Sequence, residues 1–519
     1  MTRVEHGFRI VLLMAVAAGF LAWKAARAEI LFADGLRYIA QAQRIDRGAL
    51  VEGLFRSVDH PAYPLAIAGA HRALGGEGPE SWQRAAQAAA ILSGILLIVP
   101  LYLVAAELFG GASAWLAVLL SLGVPLVGDV LADTMSEGTF LLFWTWGLWA
   151  ALRFLKRGGF GWLPPAIGFG ALAYLSRPEG LLLPAALVAT LALMPLLRST
   201  RLNWPRWWAA VGLLIIGPAV LVGPYVAVKG GLGTKPAIAR LLGTAPRSAA
   251  GAVERQRPLD PDESPVKTYA VAAKAVFGAV RDAVTLPLLV LAALGLAWRP
   301  AADRARLWLF VGVIGIATLL ALVRLHATGG YCSARHALVP ALILIPAAAF
   351  GLHRLIGSIA IPGRWLGLGE GRWTAGPAVW ALILGGLVAG NWPRIREPIG
   401  SEFVGYRQAA RFVAEHVPAG SKVVDLTGWT QFYSDRPGYT FADAPQALGD
   451  PEVRWVVARE NHLLGPWEYC GWLRVLTGHL TPVATFPESL RPDQAKVYVF
   501  QRPPGHQSTA MIWPDIRHR

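Results

Sequence analysis

An all-α polytopic membrane protein with about eleven transmembrane helices and a small C-terminal extracytoplasmic α/β domain is the fold class the sequence predicts. Three observations carry it. Of 519 residues, 55% are hydrophobic and only 16% charged, which is too few charges for an ordinary soluble domain. Apolar runs of roughly 16 to 24 residues recur from Phe8 to Asn391, each long enough to cross a ~30 Å hydrocarbon core as a helix. Beyond about Pro393 the composition turns to that of a soluble domain, with a helical pattern in "YRQAARFVAEHV" and strand-like "KVVDL", "RWVVA", "TPVATF" and "KVYVF" between turn residues.

The expected spans lie near 8–28, 84–107, 112–131, 138–155, 161–177, 180–197, 207–228, 283–298, 306–325, 337–356 and 375–391. The first is read as a retained anchor, because "WKAARAEI" is a poor cleavage site and many spans follow it. Between it and the second, residues 29–83 read as a loop with two short surface helices. The part from His60 to Gly76 is proline-containing and too sparsely apolar for a crossing, so it is expected to lie at the interface or re-enter. Residues 229–281 read as a second loop that includes the polar, proline-rich "ERQRPLDPDESP". This divides the chain into a membrane domain, 1–392, and an α/β domain, 393–519.

Orientation follows from the basic residues. Arg153, Lys156 and Arg157 fill one short connection; Arg198, Arg201 and Arg206, then Arg299, Arg304 and Arg306, then Arg354, Arg364 and Arg372 fill its successors on the same side. By the positive-inside rule these loops are cytoplasmic, which places the N-terminus inside and residues after Asn391 outside a plasma (inner) membrane crossed many times. The net charge of +15 is thereby spent on topology, and a nucleic-acid partner is not expected. Two cysteines, Cys332 and Cys470, make neither a disulfide framework nor a zinc site; a single bridge between them stays open.

With this threading, Asp34, His60, Tyr63, Asp133, Glu137, Arg177, Glu179, His326, Tyr331, Arg335 and His336 fall in outward loops or in the first turns of adjoining helices. Ionisable groups near lipid are costly and commonly line a cavity, so one shared site is expected. Plainer roles stand beside this one. Asp34 reads as an N-cap for a helix from Gly35 to about Arg44, and Asp133 as a cap for the helix that follows it. Arg177 and Glu179 in "LSRPEGLLLP" read as a local pair, and Arg335 as a side chain snorkelling to the interface.

The aspartate after the first span, "DHPAYPLAIAGAHRALGG", the acids of "DTMSEGTF", "LSRPEGLLL" and "GGYCSARHALVP" together resemble the bacterial polytopic glycosyltransferases of the GT-C fold, relatives of protein O-mannosyltransferases and of the aminoarabinose transferases acting on lipid A. The resemblance covers roughly residues 8–352 and rests on the order and spacing of these motifs; the C-terminal "QFYSDRPGYT" region also looks like domains appended to such enzymes. It implies transfer of a sugar from a polyprenyl-phosphate donor to a lipid, glycan or protein acceptor, with Asp34 as catalytic base and Arg335 or His336 at the donor phosphate. Two departures stand out: relatives often carry Asp-Glu where this chain has Asp34-Gly35, and Ala62 replaces a proline common in the family.

The chemistry is consistent on its own terms. Glycosidases need two carboxylates because an alkoxide leaving group must be protonated, whereas a phosphate leaves as a stable anion. One carboxylate to deprotonate the acceptor hydroxyl and cations to steady the departing phosphate then suffice, and a direct displacement inverts the anomeric centre. Asp34, Asp133 and Glu137 are three hard oxygen ligands suited to a divalent cation, as in the related oligosaccharyltransferases; many relatives operate without one, and the expectation here is no metal. Two rival functions remain at this point. A glycolipid or solute transporter or flippase would place its ionisable groups at the bilayer midplane on broken helices, and a non-catalytic scaffold would not need the outward carboxylates.

Overall fold

The computed structural model describes residues 3–196, 203–233, 264–298, 305–358, 360–362, 372–374 and 376–503, apart from 442, 466, 467, 479, 490, 492 and 493. Most of the expected loop 229–281 therefore lies outside the described residues.

Helix α1 (Arg3–Ala26) leads to a surface pair, α2 (Ala33–Asp46) and α3 (Ala62–Leu74), and then to the long α4 (Gly78–Phe109). At 13 residues α3 spans ~20 Å, too short to cross a ~30 Å core, and it packs on α2 and α4. Helices α5 (Gly111–Leu122) and α6 (Pro125–Ala132) follow, then α7 (Glu137–Arg157), α8 (Leu163–Ser176), α9 (Leu182–Leu193) and α10 (Trp204–Lys229). After the undescribed segment come α11 (Pro265–Val284), α12 (Leu286–Ala297), α13 (Ala305–Gly329), α14 (Leu338–Ser358) and α15 (Gly376–Ile395).

Seven helical stretches among the described residues are long and apolar enough to cross a membrane, or nine if each of two bent pairs is one span. The expected count of eleven is not confirmed among these residues. The run 112–131 is broken after Gly123, and α5 and α6 meet at 72°. Helix α11 was expected as loop; it is a 20-residue helix bent 95° against α12, so the run 283–298 is only the second half of a broken pair. The run 161–177 is a helix of 14 residues, ~21 Å long. Hydropathy records apolarity but not the direction of the backbone, and both breaks escape it for that reason.

A close backbone approach joins α12 to α14. A Cβ on Gly295 would sit 1.9 Å from the carbonyl oxygen of Ala347, and one on Gly351 2.1 Å from that of Leu291. Small residues at both positions let the helices pack backbone to backbone, the mode that substitutes for hydrophobic drive inside lipid.

Behind α15, residues 401–503 build a five-stranded mixed sheet with helices. Its strands are β1 (Lys422–Val424), β2 (Gly438–Tyr439), β3 (Val453–Arg459), β4 (Ala484–Phe486) and β5 (Val497–Gln501), in the order β2-β1-β3-β5-β4. Pairing is parallel for β1 with β2 and β3, and antiparallel for β5 with β3 and β4. The four strands expected from the sequence are present; β2 is two residues long and too short to show a period. Helices α16 (Val404–His416) and α17 (Trp429–Ser434) cover the face turned to the membrane helices, where Tyr406, Trp429 and Val413 share an apolar core with Leu31, Tyr38 and Tyr63. No disulfide joins Cys332 and Cys470, so the bridge left open by the sequence is not formed.

Candidate functional site

The up-and-down course of the chain brings the C-terminal end of α1, the N-terminal ends of α2, α4, α7 and α14, and the turn between α8 and α9 to one end of the bundle. At the opposite end Glu107 pairs with Arg153 at 3.1 Å and with Lys156 at 2.5 Å, where basic residues were expected to gather.

Helix α2 starts at Phe32, whose side chain supplies no cap, and Asp34 occupies its first turn, where a negative charge suits the helix dipole. It is therefore not the N-cap the sequence suggested. Its two carboxylate oxygens are held instead by two guanidinium groups: Oδ2 lies 2.7 Å from Arg335 Nη1, and Oδ1 lies 3.0 Å from Arg37 Nη2. Arg335 reaches it from a 3₁₀ turn, Ala334–Ala337, that Ser333 and His336 lock by a reciprocal cap, and its guanidinium covers the ring of Phe32 at 4.7 Å.

The same Arg335 nitrogen stands 3.6 Å from Glu137 Oε1, at the first residue of α7. Arg177 then bonds Glu137 at 2.7 Å and Glu179 at 3.1 Å, so the expected local pair exists and is one link of something longer. On the other side Arg37 donates to the buried Asp59 at 3.0 Å. The result is a continuous alternation, Asp59, Arg37, Asp34, Arg335, Glu137, Arg177, Glu179, of four carboxylates and three guanidiniums. Asp34 and Glu137 each meet two guanidiniums, so the loss of Arg335 leaves each of them a second partner.

A cavity of about 870 Å³ opens beside it, bordered by Phe32, Asp133, Tyr331, Arg335, Arg394 and Trp429 among others. Asp133 follows α6 and is buried; one carboxylate oxygen accepts the N–H groups of Thr134 at 2.6 Å and Phe32 at 3.3 Å. Burial outweighs those two bonds and pushes its carboxyl up to about 7. Asp133 thus ties the start of α2 to the end of α6, and the cap of α7 is Ser136 instead. Gly35, next to Asp34, packs so close to this loop that a Cβ there would meet Thr134 Oγ1 at 1.9 Å. The departure from Asp-Glu noted in the sequence has a local steric reason.

Of the expected residues, Asp133, Tyr331 and Arg335 border the cavity, Asp34 adjoins it through Arg335, and the others lie outside it. His60 is buried between the rings of Tyr174 and Tyr225, and Tyr63 donates to the carbonyl of Ala86 and meets Tyr38 edge-on; both are packing residues at some remove. His336 caps its own turn and faces a separate space of about 50 Å³ with Glu137, Arg177 and Glu179, on the far side of Arg335. Nor do the residues present suit a divalent cation. Asp34 and Glu137 are bridged by Arg335 and Asp133 turns to backbone N–H groups, and among the described residues no three His, Cys, Asp or Glu side chains group as metal ligands.

Several contributors have no role that the sequence assigns, Arg37 among them although it falls one turn from Asp34. Arg37 and Asp59 are local to the surface helices, and the turn carrying Asp59 is held by Lys229, whose ammonium donates to the carbonyls of Ser57 at 3.0 Å and Asp59 at 3.1 Å. Lys24 at the end of α1 meets Asp129 at 2.5 Å, the carbonyl of Ile395 at the end of α15 at 3.1 Å and that of Glu397 just beyond the helix at 2.9 Å. The strand-like stretch before α2 is strapped to the C-terminal α/β part: Trp429 Nε1 donates to Leu31 O at 2.9 Å, Leu31 N to Tyr433 Oη at 3.1 Å and Arg407 to Glu29 O at 2.7 Å. The only prior sign of these contacts was the aromatic content of "GWTQFYSDRPGYT".

Residues 59–221 match the family model described as dolichyl-phosphate-mannose-protein mannosyltransferase. No curated protein matches the chain. Among solved structures it is similar to ArnT from Cupriavidus metallidurans in the apo state, with TM-score 0.56, 15% identity and 96% of this chain and 98% of that one covered. The same protein bound to undecaprenyl phosphate superposes with TM-score 0.54 at 14% identity and the same coverage. The archaeal oligosaccharyltransferase AglB from Archaeoglobus fulgidus, in complex with an inhibitory peptide and a dolichol-phosphate, gives TM-score 0.54 at 13% identity over 89% of this chain and 70% of that one. The chain is therefore a polytopic membrane protein of the GT-C fold, similar to ArnT and AglB in architecture and to the protein mannosyltransferases in sequence over residues 59–221.

Proposed function

We propose that the protein is an integral membrane glycosyltransferase that moves a sugar from a polyprenyl-phosphate donor to an acceptor hydroxyl on the extracytoplasmic side, with inversion and with Asp34 as base. The observation that carries this reading is the meeting of Asp34 with Arg335, 301 residues apart in sequence, at 2.7 Å, because Arg335 borders the large cavity and Asp34 stands directly behind it, next to the lining residue Ala33. The ligands of the two similar structures, undecaprenyl phosphate and dolichol-phosphate, support a lipid phosphate as the donor's carrier.

In this reading the acceptor oxygen attacks the anomeric carbon as the bond from that carbon to the phosphate oxygen breaks. The hydroxyl proton passes to Asp34, and the polyprenyl phosphate departs as an anion. Arg335 and Arg394 are the guanidiniums that border the cavity and would receive that anion; the planar fork of arginine suits a phosphate better than a lysine does. The two guanidiniums on Asp34 fix its orientation, which is the first requirement of a general base. Asp133, protonated at pH values below about 7, is able to donate to a sugar or phosphate oxygen in the cavity.

The test reconstitutes the purified chain in liposomes with polyprenyl-phosphate sugars extracted from envelope lipids. A new covalent glycoconjugate, found by mass spectrometry and dependent on the protein, is the expected outcome. Movement of the glycolipid across the bilayer without a covalent product would establish the transporter reading instead.

A further inference from the structure

A second groove, about 450 Å³ in volume, runs between the C-terminal end of α1 and the first turns of α4, apart from the large cavity. Its apolar wall is a row of small side chains, Ala22, Ala25 and Ala26 from α1 and Ala88 from α4, with Ile91 one turn deeper. Its rim is polar: Glu80, Gln83 and Arg84 from α4, and Arg407 from α16 of the C-terminal α/β part.

One side chain in this groove is out of place. Gln87 is only 6% exposed and borders the groove, and its Nε2 has no hydrogen-bond partner among the described residues. A buried amide left in that state costs about 1–3 kcal/mol, so a native protein normally supplies an acceptor. The neighbouring Gln83 shows the contrast, because its Oε1 already accepts from Tyr433 at 2.8 Å. At the rim Arg407 donates to Glu29 O and stands 3.6 Å from Glu80, which leaves donors of its fork available, and Arg84 is exposed. Glu80, Arg84 and Arg407 together carry one net positive charge.

We propose that this groove binds one anionic glycerophospholipid of the leaflet on this side. Its phosphate sits at Arg84 and Arg407, a glycerol-ester or phosphate oxygen accepts from Gln87, and an acyl chain follows the alanine row toward Ile91. The depth of the wall argues for a lipid over free phosphate, because an inorganic ion would leave the apolar part of the groove uncovered. So does its placement. Only 22% of the apolar window of α1 is buried, so this helix stands at the edge of the bundle with lipid beside it. The site has a consequence for the whole molecule: Arg407 and Tyr433 belong to the α/β part, and Tyr433 also receives the N–H of Leu31, three residues before Asp34. An occupied groove seats that part on the loop that carries Asp34.

The test is native mass spectrometry of the full chain released from mild detergent, titrated with palmitoyl-oleoyl-phosphatidylglycerol. Wild-type protein is expected to retain one phosphatidylglycerol that an equal amount of phosphatidylcholine does not displace. The double variant Arg84→Glu, Gln87→Leu is expected to lower the retained fraction at least tenfold, and Arg84→Lys to keep it within about threefold of wild type. If the double variant fails to fold, Arg84→Glu alone, at an exposed position, serves the same comparison. Equal retention by wild type and Arg84→Glu would overturn the site. Displacement by millimolar glycerol 3-phosphate would show that the headgroup alone is recognised and would overturn the lipid assignment. The measurement needs no sugar transfer, so its outcome is independent of the proposed activity.

Discussion

Replacing Arg335 by alanine separates structural from chemical roles at the centre of the site. Its guanidinium bonds Asp34 at 2.7 Å, stands 3.6 Å from Glu137 and covers Phe32. Asp34 keeps Arg37 and Glu137 keeps Arg177 after the change, so neither carboxylate is stranded. The loss to stability is then one charge-assisted hydrogen bond, about 1.5–3 kcal/mol, with a cation–π contact of about 1 kcal/mol. The loss to chemistry is larger if this arginine steadies the departing phosphate: removing one such donor typically costs about 10²–10³ in kcat, or about 2.7–4 kcal/mol of barrier. Arg335→Lys keeps the charge without the fork and should fall between. The assay is the initial rate of labelled-sugar transfer from a saturating polyprenyl-phosphate donor, with donor affinity measured separately. A kcat for Arg335→Ala within threefold of wild type, in folded protein, would refute the role.

Three further outcomes follow from the geometry. Gly35→Ala forces a methyl into Thr134 and should destabilise by about 1–3 kcal/mol while moving the Asp133 loop away from Asp34; an unchanged melting temperature and rate would contradict the close approach. Asp59→Asn loosens Arg37 on Asp34 and should lower kcat about ten- to hundredfold with donor affinity nearly unchanged, and Arg37→Lys should retain more activity than Arg37→Ala. Asp133 should also impose a pH dependence on stability. Burial raises its folded carboxyl to about 7, so the folded state holds the proton more tightly than the unfolded chain does. That contribution is complete below the unfolded value of about 3.9 and is lost as pH rises through about 7. This group should therefore lower the melting temperature between about pH 4 and 7 in wild type and add little slope above that, and Asp133→Asn should flatten that part of the profile.

Legibility in the sequence had a physical boundary. The parity of apolar runs and the clustering of bases place "LFADG", "DTMSEG", "SRPEG" and "CSARH" at one end of the bundle, and this suffices to bring Asp34, Glu137, Arg177, Glu179 and Arg335 together. What parity does not encode is where a side chain turns once it arrives. His60 and Tyr63 share the polar-aromatic look of the site residues, yet they pack among rings, and His336 spends a nitrogen on its own turn. The Arg37–Asp59 pair depends on how two short surface helices lean on each other, a tertiary fact with no sequence period. The bends between α5 and α6 and between α11 and α12 are likewise invisible to hydropathy, because both arms of each bend are apolar or amphipathic.

The most direct measurement is sugar transfer by Asp34→Asn. The substitution keeps the shape of the side chain and an oxygen that still accepts from Arg335, so insertion and fold should survive, as read by size-exclusion profile and melting temperature. It removes the group proposed to take the acceptor proton, and transfer should drop by about 10²–10⁴ while donor binding persists. A folded Asp34→Asn protein that transfers sugar at the wild-type rate would contradict the proposed mechanism outright.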